Sequence, residues 1–220
     1  MSISMTTLLE RGYLMNDQLS SLSTLKLANI LNELQPLFHY ANLIEKSLKN
    51  EEDEIIKFMK KYEDMPSVDE ELWHVQKIFP YLQRSAAFLS VFAFIEHNLN
   101  LVYETLRKEY NRNLSFKDLN DKGLERIKNY LKKEIGIDFP DQTESWNEIK
   151  SMNKVRNVIA HGNSEVDPDD SNLIEYIDKN SYFDVQDNTL LLQEGAVKYL
   201  LSYIEIFLKE LSCAISNKFQ

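Results

Sequence analysis

Arg156, Asn157 and His161 bring a permanent cation, an amide and a near-neutral titrating group into six consecutive residues. Histidine can take or give a proton close to neutral pH. Arginine stays charged and can hold a carboxylate or phosphate through two parallel N–H bonds. The surrounding run, Val155 to Ala160, is otherwise apolar, and Gly162 follows directly. Arg156 continues the helical stripe of Ile149, Met152 and Ile159. A guanidinium on such a stripe is costly unless an anion or other acceptor meets it. Asn157 and His161 are four apart and share a helix face. Arg156 and His161 are five apart, so they diverge by roughly 140° around an ideal helix. Either the helix frays at His161, or a site using both groups is assembled across a symmetric dimer.

Glu96 is the second residue of chemical interest. It lies among Phe92, Phe94, Ile95 and Leu99. A carboxylate there either pairs with a cation, for which Arg156 is the natural candidate, or sits on the wet edge of its helix with His97. Lys150 and Lys154 add positive charge beside Arg156 and are candidates for substrate binding. The stretch Glu104 to Glu134 also leans basic, with nine Lys/Arg against six Asp/Glu. Most of that stretch is expected to be a solvated mixed-charge face. Glu71 and His74 form only half of a paired carboxylate–histidine metal motif, and no second half exists. His39 and His74 are expected to be structural. There is no glycine-rich phosphate loop, zinc-protease motif or serine nucleophile elbow.

The elements that position these residues are helical. Only 5 Gly and 5 Pro interrupt 220 residues, and 43% of the chain is hydrophobic. That balance favours a real core built from long helices. Apolar spacing predicts a helix over about Leu22 to Lys49, kinked or broken near Gln35 by Pro36. A shorter helix is expected over Glu52 to Tyr62, then a turn at Met65-Pro66-Ser67. A long central helix should follow Pro80 and end at Asn111 to Asn113, and another should cover Asp121 to Ile135 before a loop at Gly136 to Asp141. The helix carrying the Arg/His segment should open on a Ser145/Glu148 capping box and stop at Gly162. Asn163 to Ser171 reads as a loop. Tyr182 to Gln186 and Thr189 to Gln193 flank Asp187-Asn188 as a β-hairpin. Ala196 to Ile215 is a regular final helix. The expected fold class is all-α: a helical bundle with a long central helix and a small β-hairpin inserted before the C-terminal helix. Residues 1–79 are expected to be a helical extension packed on a domain spanning 80–220.

Charge and cysteine content restrict the functions. The net charge of -10 does not suit a general nucleic-acid binder, so any RNA contact must be local. Cys213, the single cysteine, cannot form an internal disulfide or a cysteine zinc cluster. No secretory signal is visible, and the uncharged apolar run Ser85 to Ile95 is shorter than the ~20 residues of a membrane helix. A cytoplasmic location without membrane association is expected.

The Arg-x4-His segment, with Asn after the Arg and at the end of a bundle helix, resembles the signature of the HEPN superfamily. The motif covers six residues, and the helical pattern extends the resemblance over about residues 80 to 215. It implies a metal-independent endoribonuclease, acting as a homodimer whose cleft combines the Arg and His of both chains. It also implies a toxin–antitoxin or phage-defence setting, with RNA as substrate and an antitoxin or defence protein as partner. No cofactor is implied. Arg156, Asn157 and His161 would be catalytic and Glu96 supporting. The alternative is a non-catalytic HEPN module that binds a nucleotide, RNA or a partner such as a nucleotidyltransferase antitoxin. Acidic net charge leans towards that alternative, and the intact Arg, Asn and His lean away from it.

Overall fold

The computed structural model describes the backbone of residues 5–61, 67–109 and 123–218, with side chains of 25–61, 70–108 and 123–218. The fold is all-α, a helical bundle with a long central helix and a two-stranded hairpin before the last helix. The expected turn at Met65 and Pro66 and the helix end at Asn111 to Asn113 lie outside the described residues.

Helix α1 runs Met5–Lys61 without a break. The expected break at Pro36 and the separate second helix are therefore corrected. No glycine or second proline lies between Pro36 and Lys61. The side chains that follow, Ala41, Ile44 and Leu48, are buried at helical spacing, so packing offsets the one lost backbone bond. Helix α2 (Ser67–Trp73) continues through a π turn, His74–Ile78, into α3 (Phe79–Glu109). The central helix thus begins well before Pro80. Proline 80 explains the π turn: it has no N–H to give and its ring crowds the carbonyl one turn back. The wider turn relieves both, with the Phe79 N–H bonded to the His74 carbonyl.

A window within Glu70–Lys108 has mean hydropathy 1.4, which is long and apolar enough to cross a membrane by composition. That window is longer than the uncharged run Ser85 to Ile95 because it tolerates up to two charged residues, and the core helix of a bundle has the same composition. Phe88, Phe92, Ile95 and Leu99 of α3 are at most 1% exposed, as in the core helix of a bundle.

Next come α4 (Gly123–Tyr130), a π turn at Leu131–Ile135, and the loop from Gly136, whose φ of +74° suits glycine. Helix α5 spans Glu144–His161. Its cap is not the Ser145/Glu148 box. Thr143 Oγ1 accepts the Trp146 N–H at 3.4 Å, and the Thr143 carbonyl accepts the Asn147 N–H at 3.2 Å. Ser145, 2% exposed, instead donates to Glu210 at 2.5 Å, and Thr143 donates to the same oxygen at 2.9 Å. A tertiary bond has thus captured Ser145, which local spacing pairs with Glu148. Thr143→Ala should therefore cost about 0.5–2 kcal/mol, whereas loss of a mere surface hydroxyl would leave the urea midpoint unchanged.

Helix α6 (Ser171–Asp178) was not expected. Its signal is Asp170, which accepts the Leu173 N–H at 3.0 Å as an N-cap, followed by buried Leu173 and Ile177 four apart. Strands β1 (Phe183–Gln186) and β2 (Thr189–Leu192) pair antiparallel with Gln186 opposite Thr189. Asp187 and Asn188 have φ of 49° and 62°, the two-residue turn that the sequence predicts. Helix α7 runs Ala196–Lys218.

Two compact units divide the chain: 1–34 with 94–147 and 204–220, and 35–93 with 148–203. The first is centred on Tyr103, Tyr130, Trp146 and Phe207, with Trp146 and Phe207 rings 5.2 Å apart. The second is centred on Phe88, Phe92, Phe183 and Leu200, with Phe88 edge-on to Phe183 at 6.1 Å.

Candidate active site

The motif residues lie in the second unit, on the last turns of α5. Ile149, Met152 and Val155 are at most 1% exposed and anchor that helix in its core. Arg156 is half-buried one residue later, and its guanidinium carbon lies 5.6 Å from the centroid of the Phe92 ring. That distance is within the range of a cation–π contact. Its Nη1 donates to Asn157 Oδ1 at 2.9 Å. Asn157 therefore aims the guanidinium and uses its oxygen there, although its own side chain is exposed. His161 is exposed at the C-terminal end of α5. The helix stays regular to His161, so fraying does not bring Arg156 and His161 to one spot, and the roughly 140° divergence stands.

The end of α5 is closed by backbone. The Val158 carbonyl accepts the N–H groups of both Gly162 and Ser164 at 3.0 Å. Left-handed conformation falls on Asn163 (φ 50°) and Ser164 (φ 62°), not on Gly162. Glycine at 162 suits the close approach of the backbone rather than a left-handed turn. A Cβ there would meet the Val158 carbonyl oxygen at 3.0 Å and the Glu165 carbonyl oxygen at 3.3 Å. The hairpin then clamps the segment after the motif. Leu190 N–H bonds the Ser164 carbonyl and Val166 N–H bonds the Asn188 carbonyl, both at 2.8 Å. Ser164, fully buried, also bonds Tyr81 Oη at 3.1 Å. His161 thus sits on a rigid end although its ring is open to solvent.

Lys150 and Lys154 are exposed on α5. Glu96 is half-buried on α3 in the first unit, its Oε1 3.5 Å from where a Cβ on Gly123 would stand.

Three groups escaped the sequence. Glu148 accepts from the hydroxyls of Tyr176 and Tyr199, at 2.9 and 3.0 Å. Burial, reinforced by that carboxylate, holds both phenols well above their ordinary range, so they remain protonated donors. Asn153, one turn before Asn157, has a buried Oδ1 with no hydrogen-bond donor. Arg84 and Glu45 form an ion pair at 2.7 Å, with side chains 14% and 15% exposed. Acidic and tyrosine residues so far apart along the chain carry no local pattern that would reveal such clusters. Among the described residues no group of three or more His, Cys, Asp or Glu could hold a metal ion. No family model, curated protein or solved structure matches the chain.

Proposed function

We propose that this chain is a HEPN-type, metal-independent endoribonuclease that acts as a homodimer, serving as a toxin or phage-defence effector in the cytoplasm. The observation that carries the proposal is the pairing of an aimed guanidinium with an open imidazole on one rigid helix end. Arg156 is held by Phe92 and Asn157, while His161 projects from the closed end of α5. Such a guanidinium can hold the non-bridging oxygens of a phosphate. Two copies of the segment would supply two imidazoles. One takes the proton of the ribose 2′-hydroxyl as its oxygen attacks phosphorus. The other gives a proton to the departing 5′-oxygen, so a P–O2′ bond forms as the P–O5′ bond breaks. The product is a 2′,3′-cyclic phosphate. Lys150 and Lys154 would draw the RNA backbone to α5 against the overall negative charge.

The divergence of Arg156 and His161 supports assembly across two chains. Light scattering should give a dimer at micromolar concentration, and a monomer that still cuts RNA would refute shared active sites. Purified protein should cleave RNA in EDTA and leave DNA intact, because DNA lacks the attacking hydroxyl. Cleavage that stops in EDTA and returns with magnesium would overturn the mechanism. The net charge of -10 favours a second possibility, a non-catalytic HEPN module that binds nucleotide, RNA or an antitoxin partner without cutting RNA. RNA binding without a cyclic-phosphate product would select it.

A further inference from the structure

A cavity of about 600 Å³ lies in the second unit, between the π turn ahead of Pro80 and the β-hairpin. Its volume is in the range of sites that hold one small ligand. The side chains around it have a consistent chemistry. Trp73 is 52% exposed and adds little to the core, which leaves an indole face open. Gln76, Asn163 and Gln186 contribute amides, Lys77 a cation and Asp187 a carboxylate. Arg84 also lines the cavity, but its guanidinium is committed to Glu45 and to the Leu192 carbonyl, so it forms wall rather than ligand contact.

We infer that this cavity binds a guanine base of single-stranded RNA, stacked on Trp73 and read by Asp187. The inference rests on the ribonuclease proposal for the source of the guanine. Exposed aromatic faces bind unstacked bases of any sequence, so Trp73 alone would not select. Asp187 selects. Guanine presents two adjacent donors, N1–H and N2–H, which match the two oxygens of a carboxylate. Adenine and cytosine present an acceptor at the corresponding ring nitrogen, and uracil presents a single donor between two carbonyls. Gln76 and Gln186 already donate to Glu52 and Asp184, so Asn163 is the amide placed to donate to guanine O6, and Lys77 can meet the attached phosphate. Asn163 connects the cavity to the motif. It stands two trans peptides beyond His161, so their Cα atoms are at most about 7.6 Å apart. A base in the cavity would therefore bring its own phosphate towards His161. The π turn matters because it displays Gln76 and Lys77 at the cavity rim, and such turns recur at functional sites.

Trp73 provides the readout, since the other tryptophan, Trp146, is 1% exposed. Titration with guanosine 5′-monophosphate should quench its fluorescence, and calorimetry should show affinity above that for the adenosine, cytidine and uridine monophosphates. The preference should be about tenfold or more, as a two-bond base contact gives. Asp187→Asn should abolish the preference. Asparagine accepts the positive φ of this turn position, so the hairpin should survive. Trp73→Ala should weaken guanosine monophosphate binding about tenfold by calorimetry. A short oligoribonucleotide with one guanine among uridines should bind more tightly than the mononucleotide, and its uridine-only counterpart should not. Equal affinity for all four mononucleotides, or an unchanged preference in Asp187→Asn, would overturn the inference. Binding of the mononucleotide but not the oligonucleotide would overturn its assignment to an RNA strand. Guanine binding without RNA cleavage by the wild type would remove the ribonuclease proposal and leave the guanine pocket standing, and cleavage without guanine preference would do the reverse.

Discussion

His161→Ala should lower the rate of RNA cleavage by about 10²–10⁴-fold, the usual worth of a positioned proton-transfer group. The same variant should fold normally. His161 is exposed, and the helix end is closed by the Val158 carbonyl and the hairpin rather than by the imidazole. Arg156→Ala should be equally severe, because it removes the charge that meets the phosphate in the transition state. It should also cost some stability, since the guanidinium packs over Phe92. Arg156→Lys separates the two effects. Lysine keeps the charge but not the paired N–H bonds, so stability should recover while activity stays low. Initial rates on a labelled RNA, read beside thermal melts of each variant, test all three. Wild-type cleavage by His161→Ala would end the catalytic assignment and leave the binding-module alternative.

The elements built on periodicity were legible from residues alone. Helix α7, the core face of α3 and the Asp187-Asn188 hairpin follow from spacing and turn chemistry, and the structure contains each. Errors arose where a local rule met a tertiary competitor. Pro36 reads as a break, yet packing of Ala41, Ile44 and Leu48 carries α1 past it. Ser145 and Glu148 have the spacing of a capping box, yet Glu210 and two tyrosines capture them. Pro80 marked a helix start, while its effect is a π turn inside a longer helix. At the candidate site, residue types and helix position were readable, because the last two turns of α5 carry Arg156, Asn157 and His161. The aim of Arg156 was not, since Phe92 lies 64 positions earlier in the chain. No spacing rule reaches that far.

The same blindness to distant pairs hid the contact with the largest expected effect on stability. Glu45 and Arg84 lie 39 residues apart, and the Arg84 fork meets both Glu45 oxygens, with Nε at 3.0 Å and Nη2 at 2.7 Å. Arg84 Nη1 donates to the Leu192 carbonyl at 3.2 Å, and the Gly195 N–H donates to Glu45 at 3.4 Å. The pair thus ties α1 and α3 to the end of β2. Deleting one partner strands the other charge in a part-buried setting, which costs up to the about 3–5 kcal/mol of a fully buried pair, against under ~1 kcal/mol for an exposed one. For a chain of this size, Glu45→Ala should lower Tm by about 6–20 °C. Glu45→Gln keeps an acceptor for Gly195 and should lose less. The double variant Glu45→Ala/Arg84→Ala should be less damaging than the two single losses added together, because it leaves no stranded charge. The effect should reach the candidate site. Strand β2 holds Ser164 through Leu190, and Ser164 closes the turn behind His161. Glu45→Ala should therefore slow RNA cleavage even at temperatures where the protein remains folded, with the guanidinium of Arg156 untouched. A Tm within 2–4 °C of wild type, the shift of about 1 kcal/mol, would show that the pair contributes no more than a surface bridge.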